Sequence, residues 1–513
     1  MKWTRGAFAA VAVTLLSVVA LAVVIGYSAM KKQPQYEYAV VVDAGSSHSE
    51  FLIYTWRPTR ANVSTEVYEV PRVNQVKFSC STDKGISMYD TPQDSANSLA
   101  DCLRKAAAAL PENARPTTPI YLRSTAGMRV MHNNDPAKAQ AILDACEQLF
   151  RNSTLDGARS SAIILPGSLE GGFGWITTNY VADQILPTHK SKQHDTTAGA
   201  LDLGGASTQI TFDDPSTYSK LSPEDQLHLH LFGNDYYLYT HSYLCYGMNA
   251  ARQRMHATAL QQATSKGPHV TVDYPCLPTG FATNLTQDDI AFLRSDYCSN
   301  TIHFDDTILT ATLQGTSDTT ACQQQTALLL DDGLPPRMGT GQPAVPDQRF
   351  FAFSGYYYVI DFLCSTKGLP GCTAGENSGW HMPPSAIVAA ADSVCAETAQ
   401  QLRRESPTIP DKFLMDYCFQ GHYVNTILTH GYEFGQDSKQ IEFVSEVNGR
   451  DVGWTLGFLL HDATEEQGPG ATRLIPKAGI VAGVTVTVAL ACIGLAVLYR
   501  MFRRSRSDYS ALN

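Results

Sequence analysis

The chain lacks the usual signatures of several enzyme classes. It has no Gly-x-x-x-x-Gly-Lys-Ser/Thr run, so no P-loop cradles a nucleotide here. None of the 14 histidines opens a His-Glu-x-x-His pair, which removes the helical zinc-hydrolase site. None of the 12 cysteines forms a Cys-x-x-Cys, so zinc ribbons and thioredoxin-type redox sites lack support. Basic residues are scarce: 38 Lys plus Arg against 49 Asp plus Glu leave a net charge of −11. A nucleic-acid partner would want a basic face, so that partner is not expected. A small anion remains open, because backbone N–H groups and a metal can hold one.

What is present is a 513-residue chain, 44% apolar and 17% charged, neither disordered nor fibrous. At about 100–200 residues per domain it has room for more than one. Phe8 to Ala29 is an uncharged run flanked by Lys2, Arg5, Lys31 and Lys32. It matches a bilayer core in length. A cleaved signal peptide is the alternative, but the run exceeds an apolar region of about 7–15 residues and lacks a clear small-x-small stop. Ala478 to Phe502 is a second apolar run, interrupted by Arg500 and followed by Arg503, Arg504 and Arg506. That cluster places the C-terminal tail in the cytoplasm. The expected layout is residues 1–7 cytoplasmic, 8–29 and 478–502 as spans, 503–513 cytoplasmic, and all between them outside. The sequons at Asn62, Asn152 and Asn284 fit that placement. Gly479 and Gly483 read equally as a helix-pairing motif, allowing a homo-oligomer, or as ordinary membrane-helix glycine. Cys492 lies in a span and the other cysteines in the exported region, where they read as disulfides. Their number there is odd, so at least one is unpaired or paired between chains; Cys146, in the helical-looking stretch Ala137–Phe150, is the candidate for a buried free thiol.

Tyr36 to Val42 is a Val-rich strand, Asp43-Ala-Gly-Ser-Ser-His48 a turn, and Phe51 to Trp56 a second strand. Ala200 to Phe212 repeats that hairpin around Asp202-Leu-Gly-Gly-Ala-Ser-Thr. A repeat at this distance predicts two similar lobes. Helical stretches (Ser95–Leu110, Ala137–Phe150) alternate with strands (Pro119–Arg123, Ala162–Leu165), which predicts α/β lobes. Asp331–Gln348 reads as a loop.

A small-residue tip after a buried strand turns backbone N–H groups outward as a phosphate cradle. The carboxylate before each tip, Asp43 or Asp202, fits beside phosphate only with a divalent cation between them. Gly205-Ala-Ser207-Thr-Gln209 lacks the final glycine of a nucleophile elbow, so Ser207 is not expected to form a covalent bond. Arg123-Ser-Thr-Ala-Gly-Met-Arg129 follows a strand, with small hydroxylated residues before an arginine. Leu169-Glu170-Gly-Gly-Phe-Gly-Trp175 reads as a glycine-rich turn whose carboxylate is either a general base for water or a solvated loop acid.

Together these pieces resemble the ecto-nucleoside triphosphate diphosphohydrolases, or ecto-apyrases. The segments that match in order are Asp43–His48, Ser124–Arg129, Leu169–Ile176, Asp202–Gln209, Phe351–Tyr358 and Asp451–Gly457. The resemblance implies two lobes like those of actin, Hsp70 and the sugar kinases, with the active site in the cleft: lobe I over 36–165, lobe II over 166–444, and a return segment, 445–472, packing on lobe I. It implies extracellular hydrolysis of nucleoside tri- and diphosphates to the monophosphate and phosphate with Ca²⁺ or Mg²⁺, and through it an end to purinergic signals. Carried over by motif, Glu170 is the base, and Ser207 and Gln209 position the water. Asp43 and Asp202 hold the metal largely through its waters, with Trp454 nearby. Ser46, Ser47, His48, Thr125, Ala126, Gly204, Gly205 and Ala206 cradle phosphates. Tyr358 and Tyr417 sandwich the base, an interaction tolerant of base identity.

The family's disulfide scheme implies Cys80–Cys102, Cys245–Cys298, Cys276–Cys322 and Cys395–Cys418. A family pair expected soon after Cys322 is missing, and Cys364 with Cys372 is the candidate for a different local bridge. Met248 stands where the family often has a basic residue; Lys412 is the candidate to compensate. The competing readings are a phosphotransferase of the same superfold and a non-catalytic ectodomain; the membrane runs and sequons weigh against the first, the intact Glu170, Ser207, Asp43 and Asp202 against the second.

Overall fold

The computed structural model describes residues 36–57, 73–185, 197–331, 338–339, 341–465, 496, 499 and 500. Among these no helix is long and apolar enough to cross a membrane. Residues 8–29, nearly all of 478–502, the Asn62 sequon, Gly479, Gly483 and Cys492 lie outside the described residues.

Two hairpins organise two sheets. β1 (Glu37–Ala44) and β2 (Ser49–Trp56) pair antiparallel with Ala44 opposite Ser49, so the tip is residues 45–48. β3 (Ile120–Ser124) lies parallel to β1, with Asp43 beside Arg123, and β4 (Ser161–Ile164) parallel to β3. Two short strands on β2 complete this six-stranded sheet. β5 (Gly199–Leu203) and β6 (Ser207–Asp213) form the second hairpin, with residues 204–206 at its tip. β7 (Gln226–Leu231) and β8 (Asn234–Leu244) extend it on the β6 side. On the β5 side β9 (Phe350–Ser354) runs parallel with Phe353 beside Asp202, and β10 (Ile441–Phe443) parallel to β9. Two short strands complete this eight-stranded sheet. Each sheet thus repeats one unit, a hairpin whose first strand takes a parallel neighbour, as the sequence repeat predicts.

β1 is apolar almost throughout because both its faces are covered. Val40, Val42 and Ala44 join Leu99 and Leu103 of α1 (Pro92–Ala109) in one cluster. Past α2 (Ala126–Asn134), Ile142 and Cys146 of α3 (Pro136–Arg151) belong to the same cluster. Ala39 and Val41 point the other way, into the cluster with Trp175 and Ile176 of α4 (Gly167–Val181). Capping sets the helix starts: Thr91 accepts from the Asp94 N–H and Asp135 from the Lys138 N–H, each with proline next.

The expected turn at Leu169–Trp175 is instead the first half of α4. Its glycines weaken a helix locally, each by about 1 kcal/mol relative to Ala. Packing decides the matter. A Cβ at Gly171 would stand 2.5 Å from Thr211 Oγ1 and one at Gly172 2.3 Å from Leu227 Cδ2. After α5 (Met248–Gln261), α6 (Gly355–Asp361) and α7 (Tyr417–Thr426), the last described helix, α8 (Trp454–Glu465), lies against α4, where the Gly457 N–H donates to Thr177 Oγ1 at 2.8 Å. α8 also reaches the first sheet, through Tyr54 Oη to Thr455 Oγ1 at 2.7 Å and Phe458 edge-on to Tyr121.

Among the described residues five disulfides are present: Cys80–Cys102, Cys245–Cys298, Cys276–Cys322, Cys364–Cys372 and Cys395–Cys418. Cys146 is free and buried. Asn152 and Asn284 are both exposed.

Candidate active site

The two hairpin tips meet. A Cβ added to Gly205 would lie 2.4 Å from Ser46 Oγ, so glycine there lets the second tip close on the first. The second tip is held from behind: the N–H groups of Cys245, Met248 and Asn249 donate to the carbonyls of Ala206, Gly204 and Gly205. With those carbonyls occupied, the N–H groups of Gly205 and Ala206 take no backbone partner among the described residues. In the first tip Ser47 Oγ lies 3.2 Å from His48 Nδ1, and Thr125, whose N–H donates to Ala44 O, leads into Ala126 at the start of α2.

Behind the tips lies a buried polar network that spans four elements. Arg129, on α2, donates from Nη2 to Glu170 Oε2 at 2.8 Å and to Ser207 Oγ at 2.9 Å. Its Nη1 donates to Leu165 O at 3.2 Å. Gln209 Nε2 donates to Ser207 Oγ at 2.6 Å and to Ser242 Oγ, on β8, at 2.9 Å. A hydroxyl oxygen accepts two hydrogen bonds, and both of Ser207's are filled. That leaves the Ser207 hydroxyl proton as the part of the group free to donate. Gln209 Oε1 is buried without a partner among the described residues. A buried acceptor left open in this way marks a place for a donor that arrives with the substrates.

The carboxylates carry more charge than the protein neutralises. Burial pushes Glu170 above the usual carboxylate range, and Arg129 pulls it back. Asp202 is pushed up to about 7 by burial and by the Glu170 charge, against a hydrogen bond from Ser354. Asp43 is raised well above its ordinary value by burial, then by Glu170, Asp202 and Glu50; a hydrogen bond from Trp454 opposes this. Asp43 Oδ1 is itself buried and unpartnered among the described residues. Two crowded aspartates, one with an open oxygen, fit a hard divalent cation bound through oxygen.

The profile of the GDA1/CD39 (nucleoside phosphatase) family matches residues 29–469. The chain belongs to the GDA1/CD39 family. Mouse ectonucleoside triphosphate diphosphohydrolase 2 is 30% identical over 493 residues, 93% of either chain. Human ectonucleoside triphosphate diphosphohydrolase 2 is 33% identical over 445 residues, 84% of this chain and 83% of that one. Among solved structures, a nucleoside triphosphate hydrolase of Neospora caninum superposes with a TM-score of 0.60 over 87% of this chain and 95% of that one, at 16% identity, a likeness of fold.

In this GDA1/CD39 chain the structure brings Asp43, Glu170, Asp202, Ser207, Gln209 and Trp454 together with both tips. It does not bring Tyr358 and Tyr417 into contact. Tyr358 is 66% exposed, while Tyr417 stacks flat on Phe362 with centroids 3.6 Å apart. Met248 donates its backbone N–H to the second tip, and the Lys412 ammonium sits over the Phe413 ring. Sequence reasoning stopped at Arg129 as the end of a motif and passed over Ser242 and Ser354. Ser354 carried a signal, since it sits in a matching segment; its φ of +57° is a strained backbone held where it meets Asp202.

Proposed function

We propose that this chain is a cell-surface nucleoside triphosphate diphosphohydrolase. It releases the terminal phosphate of nucleoside tri- and diphosphates, with water as acceptor, down to the monophosphate. One observation carries the reading: Arg129 ties Glu170 to Ser207, and Gln209 binds Ser207 in turn, beside the meeting point of the two hairpin tips. Glu170 gives one oxygen to Arg129 and keeps the other for a water. That water donates to Glu170 and to Gln209 Oε1 and accepts from the Ser207 hydroxyl. One lone pair is left to attack the terminal phosphorus; Glu170 takes the proton as that bond forms, and the bond from phosphorus to the bridging oxygen breaks, leaving its electron pair on the departing nucleotide. In-line hydrolysis needs this positioning and charge neutralisation more than covalent chemistry.

The tip residues Ser46, Ser47, His48, Gly204, Gly205 and Ala206, with Thr125 and Ala126, bind phosphate oxygens. Tyr358 and Tyr417 bind the base. The family requires a divalent cation; here Asp43 and Asp202 would hold Ca²⁺ or Mg²⁺ through its waters, near Trp454. When bound it neutralises phosphate charge. The two apolar end runs anchor the catalytic part outside the cell.

The test is phosphate release by intact expressing cells given ATP or ADP, with Ca²⁺ or with EDTA. Hydrolysis outside the cell, abolished by EDTA and by Glu170→Gln, is expected. A folded surface protein without hydrolysis would overturn the assignment. Activity only after permeabilisation would overturn the surface location alone.

A further inference from the structure

Gln209 is useful to a water only in one of its two amide orientations. With Nε2 toward Ser207, Oε1 is open to accept from the water. With the amide turned over, Oε1 would face Ser207 and draw off its hydroxyl proton, and Nε2 would compete for the lone pair that attacks. Ser207 does not decide between them, because a hydroxyl serves as acceptor or donor equally well.

We propose that Ser242 is a positioning residue for hydrolysis, fixing the Gln209 amide in the orientation that leaves Oε1 for the attacking water. This rests on the reading that Gln209 helps hold that water. Ser242 stands directly opposite Gln209 in the β6–β8 ladder, and its Oγ accepts the second Nε2 hydrogen at 2.9 Å. Both amide hydrogens are thereby used, and Oε1 is the atom left buried without a partner among the described residues. Ser242 stays an acceptor because its own proton has somewhere else to go. Its side chain lines a cavity of about 200 Å³ together with Arg129, Gly167, Ser168 and His241. That is room for water, which can take the hydroxyl proton. The close approach of Gly167, where an added Cβ would lie 2.4 Å from Ser242 Cβ, holds the serine in place.

The experiment is a double-mutant cycle on the full-length enzyme in membranes: parent, Ser242→Ala, Gln209→Ala and the pair. Rates of phosphate release are measured over a range of ATP with saturating Mg²⁺ and normalised to surface protein. Ser242→Ala keeps Cβ and its packing, so the thermal-inactivation midpoint and the KM for ATP should hold while kcat falls about tenfold. In the Gln209→Ala background the same change should cost nothing. Unchanged kcat in Ser242→Ala, beside a loss in Gln209→Ala, would overturn this proposal alone. An equal loss in both backgrounds would also overturn it, since Ser242 would then act independently of Gln209. Unchanged kcat in Gln209→Ala would overturn the water-positioning reading and this proposal with it. Should Ser242→Ala fail to reach the surface, Ser242→Cys takes its place, keeping the size but accepting weakly; a smaller loss, again absent without Gln209, is expected, and a loss that persists there would overturn the proposal.

Discussion

Replacing Arg129 with methionine should move the pH dependence of turnover, not merely lower it. Glu170 and Arg129 form an ion pair at 2.8 Å with side chains only 7% and 14% exposed. At an effective dielectric near 20, two unit charges about 3–4 Å apart attract by about 4–6 kcal/mol. Water entering the vacated guanidinium site screens the remaining charges, so the loss is smaller than this bare attraction. The sign is fixed: Arg129 holds the carboxyl down, so its removal raises the pH at which the base becomes available. The acid limb of kcat should therefore move to higher pH, with about 100-fold lost on the acid side and much of it recovered at high pH. The assay is phosphate release from ATP between pH 5 and 10 at saturating Mg²⁺, normalised to surface protein. A loss of equal size at every pH would refute the reasoning and make Arg129 a ligand of the substrate instead of the keeper of the base.

Three further outcomes are expected. Asp202→Asn should raise the Mg²⁺ concentration for half-maximal rate by about 10–100-fold, as for groups that hold a metal through its waters; an unchanged Mg²⁺ titration would remove Asp202 from that role. Gly457→Ala should lower the thermal-inactivation midpoint strongly, because its Cβ would fall 1.9 Å from the Phe173 carbonyl oxygen and overpacking costs about 1–3 kcal/mol, whereas Gly172→Ala should be milder, since only a Leu227 methyl stands in the way. Burial, with Arg252 adding, lowers His256 from 6.5 to about 3; between those values the unfolded chain binds the extra proton, so stability falls on acidification, and His256→Gln should flatten that acid slope of the inactivation midpoint.

The features legible in the sequence are those that local chemistry dictates. Continuous apolar runs and glycine-rich tips located both hairpins, because a buried strand needs apolar residues and a tight tip needs small ones. The capped helices α1 and α3 were visible for the same reason. Helix α4 was misread as a turn because it is buried on nearly every side, which removes the amphipathic period that marks a surface helix. Its glycines suggest a turn, whereas in the fold they allow close approach.

The sequence by itself determined the motifs, the hairpin repeat, the candidate base and metal aspartates, and the residues of both tips, since each is a short stretch whose meaning rests on its neighbours in the chain. Only the tertiary structure decided how those stretches act together. Arg129 lies 41 residues from Glu170 and 78 from Ser207, and Ser242 lies 33 from Gln209. Nothing in the intervening sequence encodes those distances. They arise from β-ladder register and from helices packed through glycine, and they settle which carboxylate is paired, which oxygen is left open, and which donors fill both acceptor positions of Ser207.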